Sequence, residues 1–247
     1  QVIVGGAGLS GIQTAGEIAE YRDEHNAPID VTLVEGLDEV FPGNDPELQG
    51  ALRSRLEALD VEIITGEFIS QADAEAVYLG GGEDDPGEKL PYDVLIWTGG
   101  ITGHDEVHGV DVDQDDRSHR VHAEADFQTS DERVFAVGDA ALIDQGEDTV
   151  APPTAQAAWQ AAEVAGENVA RAVEGRALKT WRHDDKGTVI SVGDDAVAHG
   201  VKLPGLGKLP INVFGGPAAR TLKKAIAARW IKDVSSSRAA LNAWESM

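Results

Sequence analysis

No cysteine occurs anywhere in the 247 residues, which excludes disulfides, thiolate metal sites and thiol redox chemistry within this chain. No apolar run reaches the roughly eighteen residues that a membrane span needs, and no signal-peptide pattern is present. The expectation is a protein neither secreted nor membrane-spanning. No internal repeat is visible. Gln1 stands directly before the first apolar run with no initiator Met, so the chain reads as a piece of something longer. Positive charge is scarce and unevenly placed. Net charge is −24, yet residues 201–247 carry eight Lys or Arg against two acidic residues, a net +6, which leaves −30 on the first 200. So acidic a body repels nucleic acid, whose binding rests on cationic contacts to phosphate. Little Lys, abundant Asp and Glu, and Arg preferred over Lys in the body point to a high-salt cytoplasm, where self-repulsion is screened. The length allows one large or two modest α/β domains with real cores.

What is present begins at once. Val2-Ile3-Val4 reads as a buried strand, then comes Gly6-Ala7-Gly8-Leu9-Ser10-Gly11, then a segment of helical spacing. That order is the context a dinucleotide fingerprint requires. Gly6 permits the tight turn, Gly8 lets backbone approach a pyrophosphate, and Gly11 seats the helix close to the strand. The helix N-terminus offers unpaired N–H groups to phosphate. The next strand, Val31 to Val34, ends in Glu35, placed to accept hydrogen bonds from a ribose. Gly36 follows with no nearby Arg for a 2′-phosphate, so NADH is expected over NADPH.

The first helix is expected from Leu9 to Tyr21. Asn44-Asp45-Pro46-Glu47 reads as a helix start capped at Asn44, with Glu three residues on; Leu48, Leu52, Leu56 and Leu59 make its apolar stripe. A third strand at 61–64 completes βαβαβ. Residues 67–92 read as a β-meander with an exposed glycine-rich turn at 80–87. Asp93 to Trp97 is a continuous apolar strand suited to a parallel sheet, and it empties into Thr98-Gly99-Gly100, where backbone can approach a ligand closely. The loop from Gly103 to His122 is rich in acid and histidine. Asp111, Asp113 and Asp115 begin a calcium-loop spacing, but Asp116 and His122 stand where Gly and Glu are needed. His104 and His108 have helical spacing without a helical pattern around them, so a solvated loop and no metal site are expected. A strand at 134–137 ends in Gly138-Asp139. Pro152-Pro153-Thr154 precedes a helix from Ala155 to Val173, with Thr154 as its cap and Gln156 and Gln160 one turn apart. After Arg176 come a hairpin around 193–195 and a helix from Pro217 to Lys232. On that helix Leu222, Ile226 and Trp230 form a stripe flanked by Arg220, Lys223, Lys224 and Arg229. A last short helix carries Leu241 and Trp244. A basic helix with an aromatic on its apolar side reads either as a membrane-surface element or as a helix packed on the body or on a twin subunit.

Four segments together carry a resemblance. Val4–Gly11, Ile96-Trp97-Thr98-Gly99-Gly100, Phe135-Ala136-Val137-Gly138-Asp139 and Ala155-Gln156-Ala157-Ala158-Trp159-Gln160 are similar to the motifs of the type II NADH dehydrogenases. These are single-subunit flavoenzymes of the two-dinucleotide-domain superfamily that pass electrons from NADH to quinone without pumping protons. The resemblance implies NADH on Gly6, Ala7, Gly8, Leu9, Gly11, Glu35, Thr98, Gly99 and Gly100. It implies FAD on Gly138, Asp139, Ala155 and Gln156, with Asp139 bonded to a ribitol hydroxyl, and a quinone pocket bordered by Gln156 and Gln160. It also implies docking of the C-terminal region on the cytoplasmic face of the membrane, and a homodimer.

Two departures stand out. The glycine turn for the FAD pyrophosphate has no counterpart after Gly11, so the chain is expected to be a fragment, inactive by itself if it holds no flavin. Gln13 stands where the family commonly has Glu, and an amide does not titrate. The expected architecture is α/β. It comprises a Rossmann-like NADH-binding domain at 1–104, the C-terminal half of an FAD-binding domain at 105–176, and a membrane-facing, dimerising extension at 177–247. The alternatives are a soluble NADH-dependent reductase of a small electron-carrier protein and a non-catalytic NADH-binding redox sensor. Disulfide and sulfide:quinone reductases are disfavoured because their reactive cysteines have no counterpart here.

Overall fold

The computed structural model describes residues 1–247 except 82–84, 86, 204, 206 and 245–247. The chain forms two compact units, one of Gln1–Gly99 with Lys186–Met247 and one of Gly100–Asp185. In the first, β1 (Val2–Gly5), α1 (Leu9–His25), β2 (Val31–Glu35), α2 (Pro46–Ala58) and β3 (Glu62–Thr65) alternate as expected. Three antiparallel strands follow, β4 (Ile69–Ala72), β5 (Ala76–Leu79) and β6 (Glu88–Pro91), and then β7 (Val94–Trp97). The parallel sheet runs β3-β2-β1-β7, with Val4 opposite both Leu33 and Ile96. Helices α1 and α2 cover one face, burying Ile12, Ala15, Ala19, Leu48, Leu52 and Leu56 against Val4 and Leu33. The β4–β6 meander covers the other, where Val77 and Leu79 meet Ile3 and Val34. Removing side chains of this size from water stabilises the fold by about 1.5–3 kcal/mol each.

Three details differ from the sequence reading. Helix α1 runs past Tyr21 to His25 and stops at Asn26, whose left-handed backbone (φ 49°) turns the chain away. The cap of α2 is Asp45, whose carboxylate accepts the Glu47 N–H at 2.9 Å, while the Asn44 amide donates to the Phe41 and Pro42 carbonyls. Two adjacent capping residues compete for one position, and Pro46 at the first helical position favours the residue just before it. Strand β7 is the edge of the sheet, with Val94 and Trp97 exposed; an unbroken apolar run does not distinguish centre from edge. Within the glycine-rich turn, residues 82–84 and 86 lie outside the described residues.

In the second unit, α3 (Asp105–His108) is a single turn with His104 at its N-cap and His108 as its last residue, so the helical spacing of the two does belong to a short helix. Strands β8 (Val121–Ala123) and β9 (Ala141–Gly146) pair in parallel, and β10 (Thr149–Val150) returns antiparallel along β9. Helix α4 (Ala155–Val173) packs Ala157, Ala161 and Ala165 on Phe127, Ile143 and Trp181. Among the described residues, the expected strand at 134–137 joins no sheet. It makes an antiparallel bridge from Phe135 to Gln128, with the Ala136 N–H donating to the Phe127 carbonyl and the Thr129 N–H to the Val134 carbonyl, both at 3.0 Å. An isolated bridge is too short a pairing to make an apolar run a strand of a sheet.

The chain then returns to the first unit with β11 (Thr188–Val192), β12 (Asp195–His199), β13 (Lys202–Leu203), β14 (Gly207–Lys208), β15 (Val213–Gly215), α5 (Pro217–Val234) and α6 (Ser237–Ala243). The β11–β12 hairpin lies on α1: a Cβ at Gly16 would fall 2.6 Å from the Gly193 nitrogen. Ile190, Val192 and Val197 join the helix-side core, and Arg55 of α2 pairs with Asp195 at 2.6 Å. Residues after Lys186 therefore share a core with the first strand. On α5, Leu222 packs inward, Arg220 pairs with Asp194, and the Lys223 ammonium turns to Ser191. Two of the four cations expected to flank an apolar stripe thus face the body, and Ile226, Trp230 and Val234 are left exposed. Among the described residues, no helix is long and apolar enough to cross a membrane.

Candidate functional site

The glycine turn owes its shape to three different constraints. Gly6 has φ +96°, a conformation that side chains disfavour. A Cβ at Gly11 would lie 1.7 Å from the Gly6 carbonyl oxygen, so only glycine lets α1 sit this close to the turn. A Cβ at Gly8 would meet nothing within 4 Å, and Gly8 is the N-cap of α1 with no side chain capping it. Open space therefore lies in front of unpaired helix N–H groups, which is where an anion binds. Ala7 is wholly buried, and Leu9 packs against the helix-side core.

Glu35, at the end of β2, is only 8% exposed. Its Oε2 accepts the Ala7 N–H at 2.7 Å and its Oε1 accepts the Leu37 N–H at 3.0 Å. Each oxygen keeps a lone pair for another donor, so the carboxylate braces the glycine turn and can still receive ribose hydroxyls. Gly36 lies under the ring of Phe68.

Thr98 has a structural task that its motif did not disclose. Its hydroxyl lies 2.9 Å from the carbonyl oxygens of both Gly5 and Gly6, and its N–H donates to Gly5 at 2.8 Å. It latches the end of β7 to the glycine turn. Gly99 carries no side chain because the Trp97 ring lies 2.7 Å from where its Cβ would be, and Gly100 has φ +84° with open space about it.

Sequence reasoning missed a second group in this unit. A cleft of about 520 Å³ is lined by Gln13, Thr14, Glu17, Ile18, Tyr21, Ile96 and Ser191. At its wall Ser191 Oγ lies 2.5 Å from Lys223 Nζ and 2.9 Å from Gln13 Nε2. Burial pushes the Lys223 ammonium below its ordinary value, and the Glu17 carboxylate opposes that shift. These residues are up to 210 positions apart, so no local motif signals them.

In the second unit, Gly138 (φ +76°) opens a 3-10 turn with nothing within 4 Å of its missing Cβ, and Asp139 is exposed. Arg120, 8% exposed, donates 2.7 Å hydrogen bonds to the Asp139 and Ala141 carbonyls and fixes this turn. Burial lowers its pKa, and Asp139 and Asp115 oppose that. The acidic loop thus does more than solvate a surface: Asp115 caps its own turn by accepting from the Ser118 N–H and hydroxyl at 2.7 Å each. Thr154 caps α4 by accepting the Ala157 N–H at 3.2 Å. Ala155 is exposed and Gln156 half-buried in the first turn of α4. Gln160 exchanges two hydrogen bonds with the Asp184 backbone, at 2.9 and 3.0 Å, so its amide is tied to the chain leaving this unit. The hollow between Gly138, Asp139, Thr154, Ala157 and Trp181 measures about 10 Å³, roughly one water. A hollow of that size does not enclose a flavin ring.

A parallel sheet whose first strand turns through glycines into an uncapped helix, beside a carboxylate closing the second strand, is the construction of dinucleotide-binding α/β proteins. The comparisons narrow that class. The chain belongs to the pyridine nucleotide-disulphide oxidoreductase family, whose pattern matches residues 1–162. Curated relatives include a type II NADH:quinone oxidoreductase of Haemophilus influenzae, 26% identical over 86% of this chain and 49% of its own length. Another, of Staphylococcus saprophyticus, is 27% identical over 92% of this chain and 56% of its own. They bear the name of the family that the sequence resembles, and the chain spans about half their length. Among solved structures, NDH2 of Plasmodium falciparum in complex with NADH superposes with a TM-score of 0.73 at 15% identity, covering 98% of this chain and 64% of that one. At that identity the likeness shows the fold.

Proposed function

We propose that the intact protein is a flavin-dependent NADH:quinone oxidoreductase. The observation that carries this reading is the open, uncapped N-terminus of α1 over Gly8, set against the buried Glu35 carboxylate. The names of the curated relatives support the reaction, and the NADH held by the Plasmodium falciparum structure supports the donor. The turn Gly6, Ala7, Gly8, Leu9 and Gly11 forms the pyrophosphate site of NADH, with Gly8 open to the phosphates, Ala7 held back by Glu35 and Gly6 and Gly11 shaping the turn. Glu35 takes the ribose, while Thr98, Gly99 and Gly100 keep the strand end narrow beside it. Gly138, Asp139, Ala155 and Gln156 hold one side of FAD, which when bound accepts hydride from NADH and delivers electrons to quinone. The N-terminus of α4 stabilises negative charge placed before it. Gln156 borders the quinone, and Gln160 shapes that border through its bonds to Asp184.

Functionally the chain divides into an NADH-binding part at 1–104, the second half of an FAD-binding part at 105–176, and a membrane-associating, dimerising part at 177–247. Exposed Ile226, Trp230, Val234, Leu241 and Trp244 among Lys224, Arg229, Lys232 and Arg238 suit an anionic lipid surface on the cytoplasmic side. The acidic body suits a high-salt cytoplasm.

The test is NADH oxidation by the full-length protein with a short-chain quinone, without oxygen, in molar salt. Quinone-dependent turnover that is weaker with NADPH is expected, and Gln156→Ala should slow quinone reduction more than flavin reduction. Flavin that NADH bleaches but quinone leaves reduced would instead favour a soluble carrier reductase.

A further inference from the structure

One side chain beside the dinucleotide site is unused by the reading above. Phe68 follows β3, in a loop zipped to the loop after β2: the Gly66 N–H donates to the Leu37 carbonyl at 2.8 Å, and the Glu67 N–H to the Glu35 carbonyl at 3.3 Å. The Gly80 N–H holds the Phe68 carbonyl at 2.8 Å. These bonds seat the Phe68 ring on Gly36, where a Cβ would lie 2.3 Å from Cδ1 and Cε1 and 2.8 Å from Cγ. Any side chain at position 36 would displace the ring. Yet Phe68 is 64% exposed, whereas its neighbour Ile69 packs into the meander-side core. The backbone thus fixes an aromatic ring beside the carboxylate and leaves it facing water, an arrangement that core packing does not require.

We propose that Phe68 is the stacking platform for the adenine ring of the dinucleotide, and that Gly36 is glycine to seat it. This rests on the reading of Gly6–Gly11 and Glu35 as the NADH site. With the ribose hydroxyls on Glu35, the base attached to that same ribose falls beside Gly36 and the ring on it. A purine and an aromatic side chain stack with an energy that alanine substitution removes. Phe68 therefore contributes affinity for the adenosine half of the ligand and none for the nicotinamide half.

The experiment is calorimetric titration of the intact protein with NADH, ADP-ribose and reduced nicotinamide mononucleotide. In Phe68→Ala the dissociation constants for NADH and ADP-ribose should rise together, on the order of 5- to 100-fold, with the mononucleotide unchanged. Phe68→Tyr should restore them. Phe68→Leu, which keeps apolar cover over Gly36, should behave like Phe68→Ala while melting at the wild-type temperature. Unchanged ADP-ribose binding in both the Ala and Leu variants, or equal weakening for all three ligands, would overturn the proposal. A wild-type protein that binds none of the three would overturn the NADH reading itself.

Discussion

The carboxylate of Glu35 and the backbone N–H of Ala7 meet at 2.7 Å, joining the end of β2 to the middle of the glycine turn 28 residues earlier. A second bond, from the Leu37 N–H at 3.0 Å, uses the other oxygen. One side chain thus shapes the turn and offers its remaining lone pairs outward. Glu35→Gln keeps the length of that side chain but has a single acceptor oxygen. One of the two N–H groups loses its partner, and the loss of a charged hydrogen bond costs about 1.5–3 kcal/mol. NADH affinity in the intact protein should fall by roughly 10- to 100-fold, with the preference over NADPH reduced. Fluorescence titration with both nucleotides measures it.

Gly8 and Gly11 separate binding from folding. Gly11→Ala drives a methyl group into the Gly6 carbonyl and should lower stability by several kcal/mol, since the obstacle is backbone and cannot rotate away. Gly8→Ala meets no protein atom and should cost about 1 kcal/mol or less at the helix cap, yet weaken NADH binding at least tenfold by filling the proposed pyrophosphate position. Thermal melts beside NADH titrations distinguish the two effects. Equal losses of stability in both variants would count against an open anion site at Gly8.

Asn168 is fully buried in α4 and bonds three backbone groups: its amide donates to the Asp126 and Lys179 carbonyls, and its oxygen accepts the Lys179 N–H, at 2.8–3.0 Å. Asn168→Ala leaves these groups without partners. The expected destabilisation of the second unit is about 3 kcal/mol or more, read from urea unfolding followed by the fluorescence of Trp181, which sits in that core.

Asp131 tests the turn before the Gly138–Asp139 motif. A side-chain bond from Arg133, helped by the Arg133 backbone N–H, holds its carboxyl down at about 2. A depressed carboxyl stabilises the fold above its unfolded pKa, and that contribution disappears as pH falls through the folded value. The window therefore runs from about 4 down to about 2. Carbon-13 chemical shifts should show Asp131 titrating near the bottom of that range, and Arg133→Ala should return the midpoint toward the ordinary carboxylate value.

Local physics made much of this protein legible in one dimension. Helix α4 begins and ends where Thr154 and the alanine-rich periodicity place it, because a cap and a 3.6-residue stripe are local properties. The glycine turn was equally readable: positive φ at Gly6 and close helix approach at Gly11 each admit one residue type. Family membership followed from four short segments. Tertiary structure decided the rest. Among the described residues, the run from Val134 to Val137 has the composition of a strand but makes one bridge and joins no sheet, since the length of a pairing belongs to two segments and not to one. Thr98, Gln160 and Arg120 turned out to brace backbone, which no spacing announces because their acceptors lie 19 to 93 residues away. Gly36 signalled only a missing 2′-phosphate ligand until the fold laid Phe68 across it. Apolar patterning reports that a residue seeks cover. Which partner covers it, and which ring stays open to solvent, depends on chain crossings that only the folded structure brings together.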